Sequence, residues 1–163
     1  MSTEVSIREA TEADVPMLVA LVNRAFELEK YFSGGDRTDA EEMTSMMRRG
    51  TYLVCEDAQG AAGCVYVEIK GEAGYFGMLA VDPARQKSGL GAKLTSGAED
   101  FARRRGCSVM EITVVSLRTA LFPYYRKLGY AEVGPEPPRK AKREPLTPYQ
   151  LIRMRKQLAT SFF

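Results

Sequence analysis

Apolar residues Val15, Leu18, Val19, Val22 and Phe26 recur at helical spacing behind Thr11-Glu12-Ala13-Asp14, a threonine N-cap followed by acidic residues. The pattern predicts a first helix reaching about Leu28, preceded by a short edge strand, Ser6–Glu9. Pro16 falls early enough in that helix to be tolerated. Ser33-Gly34-Gly35-Asp36 breaks the pattern, and a second helix, capped near Thr38, is expected over residues 39–49 with Met43, Met46 and Met47 turned inward. Residues 51–56, 61–70 and 74–81 then read as strands. The turns between them, 57–60 and 71–72, are of hairpin length, which makes an antiparallel meander.

A long helix follows over residues 89–105, with Leu90, Leu94, Gly97, Ala98 and Phe101 on its inner side and Gly106 as its C-terminal stop. Residues 109–115 form a strand rich in β-branched side chains, 120–128 a short helix ended by Gly129, and 130–133 another strand. A proline-rich loop, 134–148, leads to a closing strand at 150–154. The order is β-α-α-β-β-β-α-β-α-β-β, without internal repeats. The meander implies antiparallel pairing in the first half, and the crossover through the long helix implies a parallel pair in the second. The expected fold class is α/β: one mixed sheet flanked by about four helices, in a single domain spanning residues 1–163.

Composition narrows the function. At 163 residues, 45% hydrophobic and 27% charged, the chain is long enough for one compact domain with a hydrophobic core and too short for two. No apolar run approaches the length of a bilayer, and Met1-Ser2-Thr3-Glu4 lacks the features of a signal peptide. The expected location is the cytoplasm, with no membrane partner. Cys55, Cys64 and Cys107 are odd in number and set in apolar stretches, so they are expected to be buried reduced thiols. Histidine is absent, which excludes zinc hydrolases and Ser-His or Cys-His triads in their usual forms; no metal is expected. The net charge of +2, from 23 basic and 21 acidic residues, gives no nucleic-acid footprint. The basic runs at 103–105 and 139–143 read as a helix end and a solvated loop.

The candidate chemistry begins at "RQKSGLG", residues 85–91, between a strand and a helix. A dinucleotide fingerprint would need a small residue where Leu94 stands, and a Walker loop would need a Gly-Lys-Ser/Thr that is missing. The pattern [Gln/Arg]-x-x-Gly-x-[Gly/Ala] is met at every defined position by Gln86, Lys87, Ser88, Gly89, Leu90 and Gly91. Unsatisfied N–H groups and a positive dipole end at a helix N-terminus suit an anion, and glycine lets it approach the backbone. With "FPYYRKLGY", residues 122–130, the chain resembles the GNAT superfamily of N-acetyltransferases over nearly its whole length.

The resemblance implies that residues 86–91 bind the pyrophosphate of acetyl-CoA. It also implies that the backbone of Leu79, Ala80 and Val81, on a strand splayed from its neighbour, pairs with the pantetheine arm. Tyr125 takes the family's general-acid position, protonating the CoA thiolate, with Tyr124 as its alternative. The asparagine that often contacts CoA seven residues earlier is replaced by Arg118; either Arg118 or Ser116 would substitute for it. The glutamate that some members use as a base is absent, its place being held by Tyr75. Glu68 is the first candidate base, ahead of Glu111, Glu29 or a water chain. Glu29, Tyr31, Phe32 and Asp36 mix acid and aromatic surface at the expected lip of the acceptor pocket, which suits a cationic amine. The expectation is direct acetyl transfer to the amine of a small molecule, by a monomer or homodimer. The rival readings are an acetyltransferase acting on protein lysines or N-termini, and a non-catalytic acyl-CoA sensor.

Overall fold

The computed structural model describes residues 5–30, 34–85, 89–136 and 146–158. Its elements are β1 (Ser6–Glu9), α1 (Val15–Ala25), α2 (Ala40–Met47), β2 (Thr51–Asp57), β3 (Gly60–Lys70), β4 (Ala73–Val81), α3 (Leu90–Arg104), β5 (Val109–Val115), α4 (Leu121–Lys127), β6 (Ala131–Glu136) and β7 (Leu151–Gln157). The seven strands form one sheet in the order β1-β2-β3-β4-β5-β7-β6. Every neighbouring pair is antiparallel except β4 with β5. The predicted element order and the single parallel pair are both present.

Local chemistry explains where the helices begin and end. The Thr11 N–H donates to the Asp14 carboxylate at 2.8 Å, and Arg8 grips the same carboxylate with two N–H groups at 2.9 Å. The chain therefore enters α1 through a 3-10 turn, Glu12–Asp14. Helix α1 stops at Ala25, short of the expected Leu28, because Glu27–Glu29 tightens into a second 3-10 turn. The cap of α2 is Asp39 rather than the expected Thr38: its carboxylate accepts from the Glu42 N–H at 2.8 Å. Thr38 is instead buried, its N–H and carbonyl both bonded to the Asn23 side chain at 3.0 Å, which ties α2 to α1.

Alternation along the strands builds a core on each face. Leu53, Val65, Val67, Phe76, Met110, Ile112, Val114 and Met154 pack under α3 with Leu94 and Ala98. On the other face Tyr52, Val54, Cys64 and Tyr66 pack under α1 and α2 with Leu18, Leu21, Val22 and Met43. Of the three methionines expected inside, Met43 is fully buried and Met46 and Met47 are half-buried. The cysteines are free and buried, as expected, and burial pushes the Cys64 thiol up to about 12.

One break in the alternation falls on β4. Tyr66 pairs with Gly77 and Cys64 with Ala80, so Val65 alone faces Met78 and Leu79. Met78 occupies the left-handed region at φ 51°, the one non-glycine residue to do so among those described. Beyond this bulge the faces exchange: Phe76 belongs to the α3 side, whereas Met78 and Ala80 belong to the α1 side. Pairing with β5 also stops here. The parallel ladder covers Ala73, Gly74 and Tyr75 against Val109, Met110 and Glu111, and no further pair follows.

Candidate active site

Beyond Tyr75 and Glu111 the sheet opens between β4 and β5. Leu79, Ala80 and Val81 form the stretch of β4 beyond the ladder, held on one side by β3 and unpaired towards β5. Ala80 is buried at 2% exposure, and Leu79 and Val81 are half-buried against the core, so what this stretch leaves without a strand partner is its backbone edge. At the mouth of the opening lies the N-terminus of α3. Gly89 is left-handed at φ 78°, and a Cβ there would meet nothing within 4 Å, so backbone conformation alone calls for glycine. Leu90 is buried in the core beneath the turn. A Cβ on Gly91 would lie 3.0 Å from the Tyr124 hydroxyl, which places Tyr124 against the first turn of α3. Gln86, Lys87 and Ser88 lie outside the described residues. Arg85 is ion-paired with Asp57.

Helix α4 packs Tyr125 against Phe76 of β4. The side chain is 7% exposed, and its ring sits 6.2 Å from Phe76, 5.1 Å from Tyr124 and 6.0 Å from Tyr130, centroid to centroid. Burial pushes its phenol well above the ordinary range, and the charge of Arg118 works in the opposite sense. A phenol so placed is firmly protonated at neutral pH, with a cation near enough to favour the phenolate when it forms.

Arg118 and Glu29, chosen from the sequence for different tasks, form one unit. Arg118 follows β5, Glu29 closes the 3-10 turn after α1, and they meet at 2.6 Å from Nη1 to Oε2. Glu29 is 7% exposed; its burial raises the carboxyl above its usual value against the pull of Arg118 and Arg37. The Ser116 hydroxyl accepts from the Gln150 N–H at 2.9 Å and so serves the start of β7. Tyr31 and Phe32 lie outside the described residues. Asp36 pairs with Lys30 at 3.4 Å on the surface.

Glu68 has other engagements. It shares a face with Tyr66, whose hydroxyl donates to it at 2.8 Å, and it lies 3.2 Å from Lys70 and 3.5 Å from Arg49. Burial works to raise its carboxyl, but these donors and cations together hold it below the ordinary glutamate value. Such contacts stabilise the charged form and weaken it as a base. Glu111 is likewise bound, accepting from Arg155 at 2.8 and 3.1 Å.

One part of the site escaped the sequence. On the face away from α3, a groove of about 170 Å³ is lined by Tyr75, Glu111, Ile112, Thr113, Glu136 and Arg153, among others. A Cβ on Gly77 would fall 2.9 Å from the Tyr75 hydroxyl, so the Tyr75 ring lies along β4 over a residue that must be small. The hydroxyl comes within 3.4 Å of Thr113 Oγ1 across the opening. The available signal was polar residues alternating with the core positions of β5 and β7, which marks an open sheet face.

The chain is similar to known proteins in sequence and in fold. A family model described as an acetyltransferase (GNAT) domain matches residues 25–153. An "IAA acetyltransferase" from Azospirillum brasilense is 28% identical over 128 residues, 74% of this chain and 82% of that protein. The ribosomal-protein-S18-alanine N-acetyltransferase of Escherichia coli superposes with a TM-score of 0.76 at 17% identity, covering 97% of this chain and 96% of that one. A putative acetyltransferase of Salmonella typhimurium, solved with its cofactor acetyl-CoA, gives 0.71 at 24% identity, covering 98% and 96%.

Proposed function

The chain belongs to the GNAT acetyltransferases, and on that premise we propose that it transfers the acetyl group of acetyl-CoA directly to the primary amine of a small molecule, with Tyr125 as general acid. The observation that carries the proposal is the break in the sheet. The β4 backbone from residue 79 to 81 is left without a β5 partner, and the Tyr125 ring packs on Phe76, just before that stretch. An open strand edge suits an amide-bearing arm, and the turn at Gly89 and Gly91 suits a pyrophosphate at the start of α3. The described residues therefore fit acetyl-CoA, and we assign residues 79–81 and 86–91 to holding it. Acetyl-CoA supplies the acetyl group as an activated thioester.

The protein's own groups then have three tasks. The acceptor ammonium must be drawn in and must lose a proton before it can attack. Glu29 is proposed for both, because it is deeply buried and that burial raises its carboxyl against the pull of Arg118 and Arg37. The base role considered for Glu68 passes to it for the reasons given above. Arg118 orients Glu29 and, through its charge, favours loss of the Tyr125 proton. Tyr125 gives that proton to the departing sulfur.

Release of free thiol from acetyl-CoA across a panel of primary amines tests the proposal. Tyr125→Phe is expected to lower kcat by about 100-fold or more, while acetyl-CoA affinity by calorimetry stays within about twofold. Wild-type kcat in that variant, with chemistry rate-limiting, overturns the acid assignment. Acetyl-CoA binding without turnover on any amine points instead to a non-catalytic sensor.

A further inference from the structure

Arg153 is out of keeping with its surroundings. It lies on β7 directly opposite Thr113 of β5 and Gly134 of β6, so its side chain emerges on the face that carries Tyr75 and Thr113. It is half-buried, yet makes no ion pair or hydrogen bond among the described residues. Arg155, two residues along the same strand, is engaged with Glu111, and Arg118, just past β5, with Glu29. Opposite Arg153 on β6, Gly134 contributes no side chain, and a Cβ there would meet nothing within 4 Å among the described residues. On the β5 side, the groove runs past Thr113 to Tyr75, at the last rung before β4 and β5 part.

We infer that Arg153 is the anchor for a carboxylate on the acceptor, so that the amine substrate is an amino acid or a close analogue. The inference rests on the acetyltransferase reading and adds the substrate class to it. A guanidinium presents a planar fork of donors that matches a carboxylate in two parallel hydrogen bonds. Partial burial strengthens those bonds relative to bulk water, and an unengaged fork leaves them free for a ligand. One strand spacing, about 5 Å, separates Arg153 from β5. A molecule whose ammonium and carboxylate are a few bonds apart can therefore touch Arg153 while its amine faces the opening beside Tyr75. Glu136, also half-buried in the lining and without a partner among the described residues, supplies the opposite charge and disfavours acceptors bearing a second anionic group there.

The test compares the twenty proteinogenic amino acids with their α-carboxamides as acceptors, in the wild-type protein, Arg153→Gln and Arg153→Lys. The best amino acid should exceed its amide in kcat/KM by roughly 10- to 100-fold. Arg153→Gln should abolish that ratio by lowering the amino acid and leaving the amide unchanged; Arg153→Lys should restore part of it. Equal use of acid and amide by the wild type, or an unchanged ratio in Arg153→Gln, overturns the inference. A binding measurement separates this from failure of the acetyltransferase reading. The N-acetyl form of each amino acid, added with CoA, should raise the melting temperature of the wild type and not of Arg153→Gln, whether or not turnover is seen. No shift in the wild type with any of them also overturns it.

Discussion

Glu99 sits on the buried side of α3 with 5% exposure, accepting from the Tyr130 hydroxyl at 2.7 Å and from Lys156 at 3.0 and 3.2 Å. It fastens α3 to β7 and to the start of β6. Tyr130→Phe removes a hydrogen bond to a buried carboxylate and is expected to cost about 1.5–3 kcal/mol in urea unfolding; a cost below about 0.5 kcal/mol would show that the cations Lys156 and Arg103 suffice. The sequence offered no hint of this residue, because its partners lie 31 and 57 positions away. Tyr125 was legible because its signal is local, a tyrosine just ahead of a Leu-Gly-Tyr turn. The pair of Glu29 and Arg118, 89 residues apart, falls between the two: each side chain stood out alone, and only folding shows them acting as one.

At the level of single elements, most starts and stops were written in local chemistry, including Thr11 before the first turn and the left-handed glycines 106 and 129. The bulge at Met78 was not, since nothing about methionine announces a positive φ. Two elements invite direct tests. The Arg8 guanidinium, with help from the Thr11 N–H, holds the Asp14 carboxyl at about 2. A depressed carboxyl contributes stability above its unfolded value and loses it as pH falls through the folded one, here from about 4 to about 2. Asp14→Asn should therefore cost about 1 kcal/mol at pH 7, after discounting for solvent, and the penalty should shrink as pH falls towards about 2 and vanish below it. An equal penalty at both ends of that range would point to packing instead. At the head of α3, Gly89→Ala meets no steric obstacle, so its cost should be the left-handed backbone penalty alone, about 1–2 kcal/mol.

Across the whole molecule, β1 to β4 and β5 to β7 are two sheet halves stitched by three parallel residue pairs and spanned by α3. Adding acetyl-CoA should slow amide exchange at residues 79–81, whose unpaired edge is proposed to receive it, and leave α2 unchanged. Unaltered exchange on β4 would remove the strand from the proposed site. The short stitch has a further consequence on that reading. Closing the seam and admitting the pantetheine arm are rival ways of completing the same sheet. A variant that gains heat resistance by extending the β4–β5 ladder will lose affinity for acetyl-CoA in step, so cohesion and turnover trade against each other at this one edge.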